Sequence, residues 1–210
     1  MTSAIGSALV CLALSGAPLA TGVPSAANST FPPCLVACPM GDIHVVVIVR
    51  DLANNPLNGA SVVLEFSGCP AAHLCDPQPN DPYATDPVAR RVRMFTDATG
   101  KADFPLRVGG LCGAGTVMLF ANGVLMASYG LASPDQDGDG FTANLVMPND
   151  ATLFAAKLGK VDPTADFDCS GGPVDLADQV IFNYHSSQFC LGWVDAVKRS
   201  TWGTLKQHYR

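Results

Sequence analysis

The sequence predicts a mainly β protein in which a β-sandwich is followed by a small α-helical unit. Three observations carry that prediction. Short β-branched or alternating runs recur between 42 and 131, separated by turns rich in Asn, Asp, Pro and Gly. A loop-then-helix pattern occurs twice between 134 and 192. The composition is that of a packed chain: of 210 residues 48% are hydrophobic and 14% charged, against a usual charged fraction of about 25%. That composition, with a net charge of −6, excludes a disordered solvating chain and a basic nucleic-acid binder.

Residues 135–178 hold nine Asp, no Glu and two Lys, a local charge of −7, while the rest of the chain sums to +1. The acidity is therefore one local feature. The first 27 residues read as a secretory signal: an apolar stretch from Ala4 to Ala20, then small residues, with Ser25 and Ala27 suited to the −3 and −1 positions of a cleavage site. Gly6, Gly16 and Pro18 interrupt that stretch, so no run matches the ~20 residues of a stable membrane span. A secreted or cell-surface location follows. Residues 28–37 read as a linker. Cys34, Cys38, Cys69, Cys75, Cys112, Cys169 and Cys190 remain after cleavage, and in an exported chain they read as disulfides before metal ligands. Their odd number requires a free or intermolecular thiol, or retention of Cys11.

Within the expected sandwich, 38–133, IHVVVIVRD from Ile43 is the first strand, and LANNPLNG after it is a turn. SVVLEFS follows, with Val62, Leu64 and Phe66 on one face. RRVRMFTD and KADFPLRV are joined by the turn Ala98-Thr99-Gly100, and Asn122-Gly123 marks a tight hairpin inside TVMLFANGVLMASYGL. His44 reads as a packed or edge histidine and His73 as solvent-facing. Gly110, Gly113 and Gly115 lack phosphate-loop spacing and read as a bulged turn. Asp76-Pro77, Asp81-Pro82 and Asp86-Pro87 read as a solvated extended loop. VRDLANNPLNGASVVLEF, TDATGKADFPL and GTVMLFANGV together resemble a bacterial immunoglobulin-like module of the invasin/intimin or carboxypeptidase-regulatory-like type, which implies an Ig-like fold over about 95 residues and no particular activity.

The repeat in 134–192 is the sharpest signal. Asp135-Gln-Asp137-Gly-Asp139-Gly140 leads to Asp150 and the helix-like ATLFAAKLG, and Asp166-Phe-Asp168-Cys-Ser170-Gly171 leads to Asp178 and QVIFNYHSS. Asp150, Leu153 and Phe154 match Asp178, Ile181 and Phe182 at an offset of 28 residues. Acids at loop positions 1, 3 and 5 followed by Gly suit Ca²⁺, which takes six to eight oxygens, and carboxylates so close repel one another unless a cation neutralises them. Leu153, Phe154, Leu158, Val180, Ile181 and Phe182 read as a core shared by the two units, and His185 as helix surface.

The pair resembles a dockerin module, in which a terminal Asp opens each helix in place of the EF-hand Glu. The resemblance implies two Ca²⁺ sites: Asp135, Asp137, Asp139, the Phe141 carbonyl and Asp150; and Asp166, Asp168, Ser170 and Asp178, with Asp175 acting through water. Measured from first to last acid, the first loop is four residues longer than the twelve-residue pattern and the second one longer, so the second lies nearer to it. A Cys169–Cys190 disulfide would staple so small a unit. The tail, 193–210, carries a charge of +3 and permits a short amphipathic helix through Trp193 and Val197.

The function expected is a non-catalytic secreted calcium-binding scaffold or adhesion protein, its dockerin-like module docking a cohesin-like or other extracellular protein, a glycan, or its own sandwich. The alternative is an accessory subunit or enzyme of a polysaccharide-degrading complex. That reading needs paired carboxylates in a cleft, and Glu65 is the only Glu in the chain.

Overall fold

The structure, a computed structural model, describes residues 22–75, 78, 85–86, 89–137 and 148–188. Among the described residues nine strands precede two helices: β1 (His44–Ile48), β2 (Ser61–Glu65), β3 (His73–Leu74), β4 (Thr85–Asp86), β5 (Arg91–Phe95), β6 (Lys101–Pro105), β7 (Val108–Gly109), β8 (Cys112–Ala121), β9 (Val124–Leu131), α1 (Pro148–Ala155) and α2 (Leu176–His185). The chain is mainly β, and each run read as a strand from its alternation forms one.

Five strands pair in the order β4-β5-β2-β8-β9, all antiparallel, while β1 pairs with β6 and β3 with β7. The period of two places Val62 and Leu64 of β2, Val45 and Val47 of β1, and Ala102 and Phe104 of β6 in one buried cluster with Val117, Leu119 and Leu131. The hairpin β8-β9 turns at Asn122 and Gly123, with φ of 46° and 81°, the left-handed pair this two-residue turn requires. Gly100 (φ +78°) is similarly constrained, since a Cβ there would lie 2.5 Å from the Val49 carbonyl oxygen. His44 is exposed on β1 and meets Asp103 of β6 at 2.6 Å.

Residues 28–37 are not a free connector. Thr30 and Ile48 exchange backbone hydrogen bonds of 2.9 and 3.0 Å, and further on Ala37 N donates to Ala132 O while Ala132 N donates to Leu35 O, each at 3.0 Å. The segment thus crosses from the edge of β1 to the end of β9, burying Leu35 and Ala37. Pro24 and Ser25, at the expected cleavage region, are also buried, and Ser25 N donates to Arg50 O at 2.8 Å, while Ala26 and Ala27 are exposed.

The helical unit closes around its own small core of Phe154, Ala165, Phe167, Val174 and Phe182, to which the β part contributes Val36 and Ala132. Phe154 and Phe182, equivalent positions of the repeat, stack with ring centroids 4.6 Å apart and planes at 8°. Leu153, Leu158 and Val180, expected in this core, are instead 41%, 37% and 62% exposed. The phenylalanine stack and the residues donated by the β part fill the space between the helices, so those three face outward.

The disulfide expected between Cys169 and Cys190 is corrected. Cys169 bonds Cys34, with Cα atoms 5.6 Å apart, because the segment before β1 passes beside the second acidic loop. Cys190 lies outside the described residues. Cys69 bonds Cys112 across a Cα separation of 5.7 Å, Cys75 is disulfide-bonded as well, and Cys38 is a free, buried thiol.

Candidate metal centre

Each acidic loop reaches back to the first turn of the helix that follows it. Asp135, Asp137 and Asp150 bring one carboxylate oxygen each within 4.8 Å of one another, and Asp166, Asp168 and Asp178 do the same. In both groups the first and third acids are buried and the second is exposed. The backbone repeats as well. Asp150 Oδ1 accepts from the amides of Gln136 (2.6 Å) and Asp137 (3.0 Å), while Asp178 Oδ1 accepts from those of Phe167 (2.6 Å) and Asp168 (3.2 Å). The helix acid thereby fixes the loop, and the two loops share one design despite their different lengths.

The second group is the more fully organised among the described residues. Asp166 accepts from Ser170 N at 3.0 Å and Gly171 N at 2.8 Å, and Asp168 accepts from Ser170 N at 2.9 Å. The Ser170 amide, ahead of smaller contributions, holds the Asp168 carboxyl below its usual range. Gly171, at φ +70°, lets the chain bend back at the sixth loop position. Asp175 caps α2: its side chain accepts from Ala177 N at 2.7 Å, and its own amide donates to Asp178 Oδ2 at 2.9 Å, a capping box. Asp175 therefore caps the helix and is not one of the three acids whose oxygens cluster. Asp139 and Phe141 lie outside the described residues.

Two residues that sequence reasoning passed over tie the loops together. Gln136 Nε2 donates to Ser133 O (2.6 Å) and Thr164 O (3.1 Å), and Lys157 Nζ donates to Gln136 Oε1 (2.6 Å) and Thr164 Oγ1 (2.7 Å). The position of Gln136 between two motif acids was the one available signal. His185, read as helix surface, is only 4% exposed.

Two buried carboxylates, if both ionised at 4.8 Å or less, would repel by about 3.5 kcal/mol or more at an effective dielectric of about 20. Three oxygen donors per loop, with no nitrogen or sulfur, fit a hard divalent cation. The chain matches no protein-family model, and no curated protein is similar enough to count as a relative.

Proposed function

We propose that the chain is a non-catalytic, secreted calcium-binding scaffold or adhesion protein, built of an Ig-like β-sandwich and a dockerin-like helical module. The duplication carries this reading: two acid triads, each closed by the same amide-to-Oδ1 bonds, flank a stack of equivalent phenylalanines. Asp135, Asp137 and Asp150 would hold one Ca²⁺, with Asp139 and the Phe141 carbonyl completing it; Asp166, Asp168, Ser170 and Asp178 would hold the other. Each ion supplies charge neutralisation that lets buried acids remain ionised against one another.

Of the docking partners considered, the chain's own sandwich is favoured over a cohesin-like protein. Val36 and Ala132 sit in the helical core, and the Cys34–Cys169 disulfide locks the two parts together. Calcium then acts as structural glue within a surface protein. The enzymatic alternative is not favoured. A cavity of about 480 Å³ on the outer face of the five-stranded sheet includes Glu65, Asp86, Arg91 and Arg93, but Ser67 and then Arg91 hydrogen-bond to Glu65 and hold its carboxyl below the usual range. A glycosidase acid needs the opposite shift.

Calcium titration with differential scanning calorimetry tests the reading. Glue predicts that Ca²⁺ raises the melting temperature of the sandwich and the helical unit together, whereas stabilisation of the helical unit alone, with capture of a cohesin domain, would favour an intermolecular dock. No heat of binding up to millimolar Ca²⁺ would refute both.

A further inference from the structure

A third cluster of ligating groups lies away from the two acidic loops. Cys38, Asp42 and His185 bring one donor atom each within 4.8 Å of one another. They come from two places, one turn before β1 and the end of α2. Cys38 sits in the segment before β1, Asp42 follows the turn at Gly41, and His185 closes α2. Gly41 N donates to Cys38 O at 3.2 Å, and at φ +76° only glycine fits there, because a Cβ would come within 2.7 Å of the Pro105 carbonyl oxygen. That turn brings Asp42 Oδ1 to 2.6 Å from Cys38 Sγ.

We propose that Cys38, Asp42 and His185 form a binding site for a borderline transition-metal dication of the Zn²⁺ type, separate from the acidic loops. An unpaired buried donor is the observation that singles the cluster out. His185 is 4% exposed, and its Nδ1 makes no hydrogen bond although Asp42 Oδ1 lies 3.4 Å away. A buried ring nitrogen without a hydrogen bond is costly, and a metal ion would satisfy it. Gln188 repeats the pattern: its Nε2 donates to Asp42 Oδ2 at 2.9 Å, while its Oε1 is buried without a partner. Gln188 thus orients the carboxylate.

Chemistry selects the ion. One sulfur, one imidazole nitrogen and one carboxylate oxygen suit Zn²⁺ and its neighbours, whereas Ca²⁺ takes oxygen alone. Binding exchanges the Cys38 S–H bond for a sulfur–metal bond and releases the proton to solvent. Thiolate and carboxylate then carry two negative charges, which one dication neutralises in a largely buried place. The half-exposed side of Asp42 gives the ion a way in. A nucleophilic role for Cys38 fits less well: the residue is 0% exposed, and burial, reinforced by the Asp42 hydrogen bond, pushes the thiol up to about 12, so without metal it stays protonated.

The test uses the full chain with its disulfides intact, in saturating Ca²⁺ so that the acidic loops are occupied, titrated with Co²⁺ and then Zn²⁺. One equivalent of Co²⁺ should produce a thiolate-to-cobalt charge-transfer band, and Zn²⁺ should remove it. Cys38→Ser should abolish the band, and both Cys38→Ser and His185→Gln should weaken Zn²⁺ binding by about 100-fold or more. Asp42→Asn, at a half-exposed position, tests the site without disturbing the buried core and should weaken Zn²⁺ by at least about 10-fold. Cobalt binding without a thiolate band, equal Zn²⁺ affinity in wild type and Asp42→Asn, or no binding at all would each overturn the proposal. The calcium heat is a separate readout, so the two metal proposals fail independently.

Discussion

At the scale of single residues, the buried helix acids do two jobs. Asp150 and Asp178 each accept two loop amides through Oδ1 and are proposed to give an oxygen to calcium. Asp178→Ala should therefore cost calcium affinity at the second site by about 100-fold or more and loosen the loop even without metal; calorimetric titration and amide exchange at Phe167 and Asp168 would measure the two effects. A pH dependence arises on the sandwich at Asp103, which Lys101 and then His44 hold below the usual carboxylate range. A carboxyl lowered by folding contributes stability above its unfolded value, and the contribution is lost as pH falls through the lowered folded value. Asp103→Asn should accordingly lower the melting temperature at neutral pH, where the contribution is present, and flatten the acid side of its profile, where wild type loses that contribution. The motif acids were legible in the sequence because a cation loop draws most of its ligands from one short stretch. Cys38, Asp42 and His185 were not: Asp42 and the Gln188 that orients it lie 146 positions apart, and no local spacing encodes such a meeting.

At the scale of elements, the strands were readable and the helix faces were not. The burial patterns of β2 and β6 alternate as their sequences do, because a strand half-buried on a sheet shows its core face directly. In α1 and α2 the inward face is set by what lies opposite, and part of that comes from Val36 and Ala132 of the β part. Phe154 and Phe182 turn inward while Leu176, Val180 and Tyr184 remain 72%, 62% and 73% exposed. Phe154→Ala should destabilise the helical unit by about 3–5 kcal/mol, whereas Val180→Ala should stay within about 0.5 kcal/mol. Chemical denaturation followed by circular dichroism separates the two, and equal effects would contradict this packing.

At the scale of the whole molecule, a segment read as a linker joins the two parts. Residues 28–37 hydrogen-bond to β1 and to the end of β9, and Cys34 within them bonds Cys169 in the second acidic loop. Sequence composition gave no warning, since short Pro- and Ser-containing stretches look alike whether free or paired to a sheet edge. Cys34→Ser with Cys169→Ser should cost about 2–4 kcal/mol and weaken calcium binding at the second loop, as denaturation and titration of the double variant would show. The duplicated acid loops are proposed to bind calcium and so to hold the molecule together. Calorimetric titration of Ca²⁺ into the metal-free protein, read with its melting curve, tests this most directly. Two ions bound per chain, with about 2.7 kcal/mol of stabilisation per site at 100-fold excess over the dissociation constant, is the result expected; no binding heat and an unchanged melting curve at millimolar Ca²⁺ would contradict it.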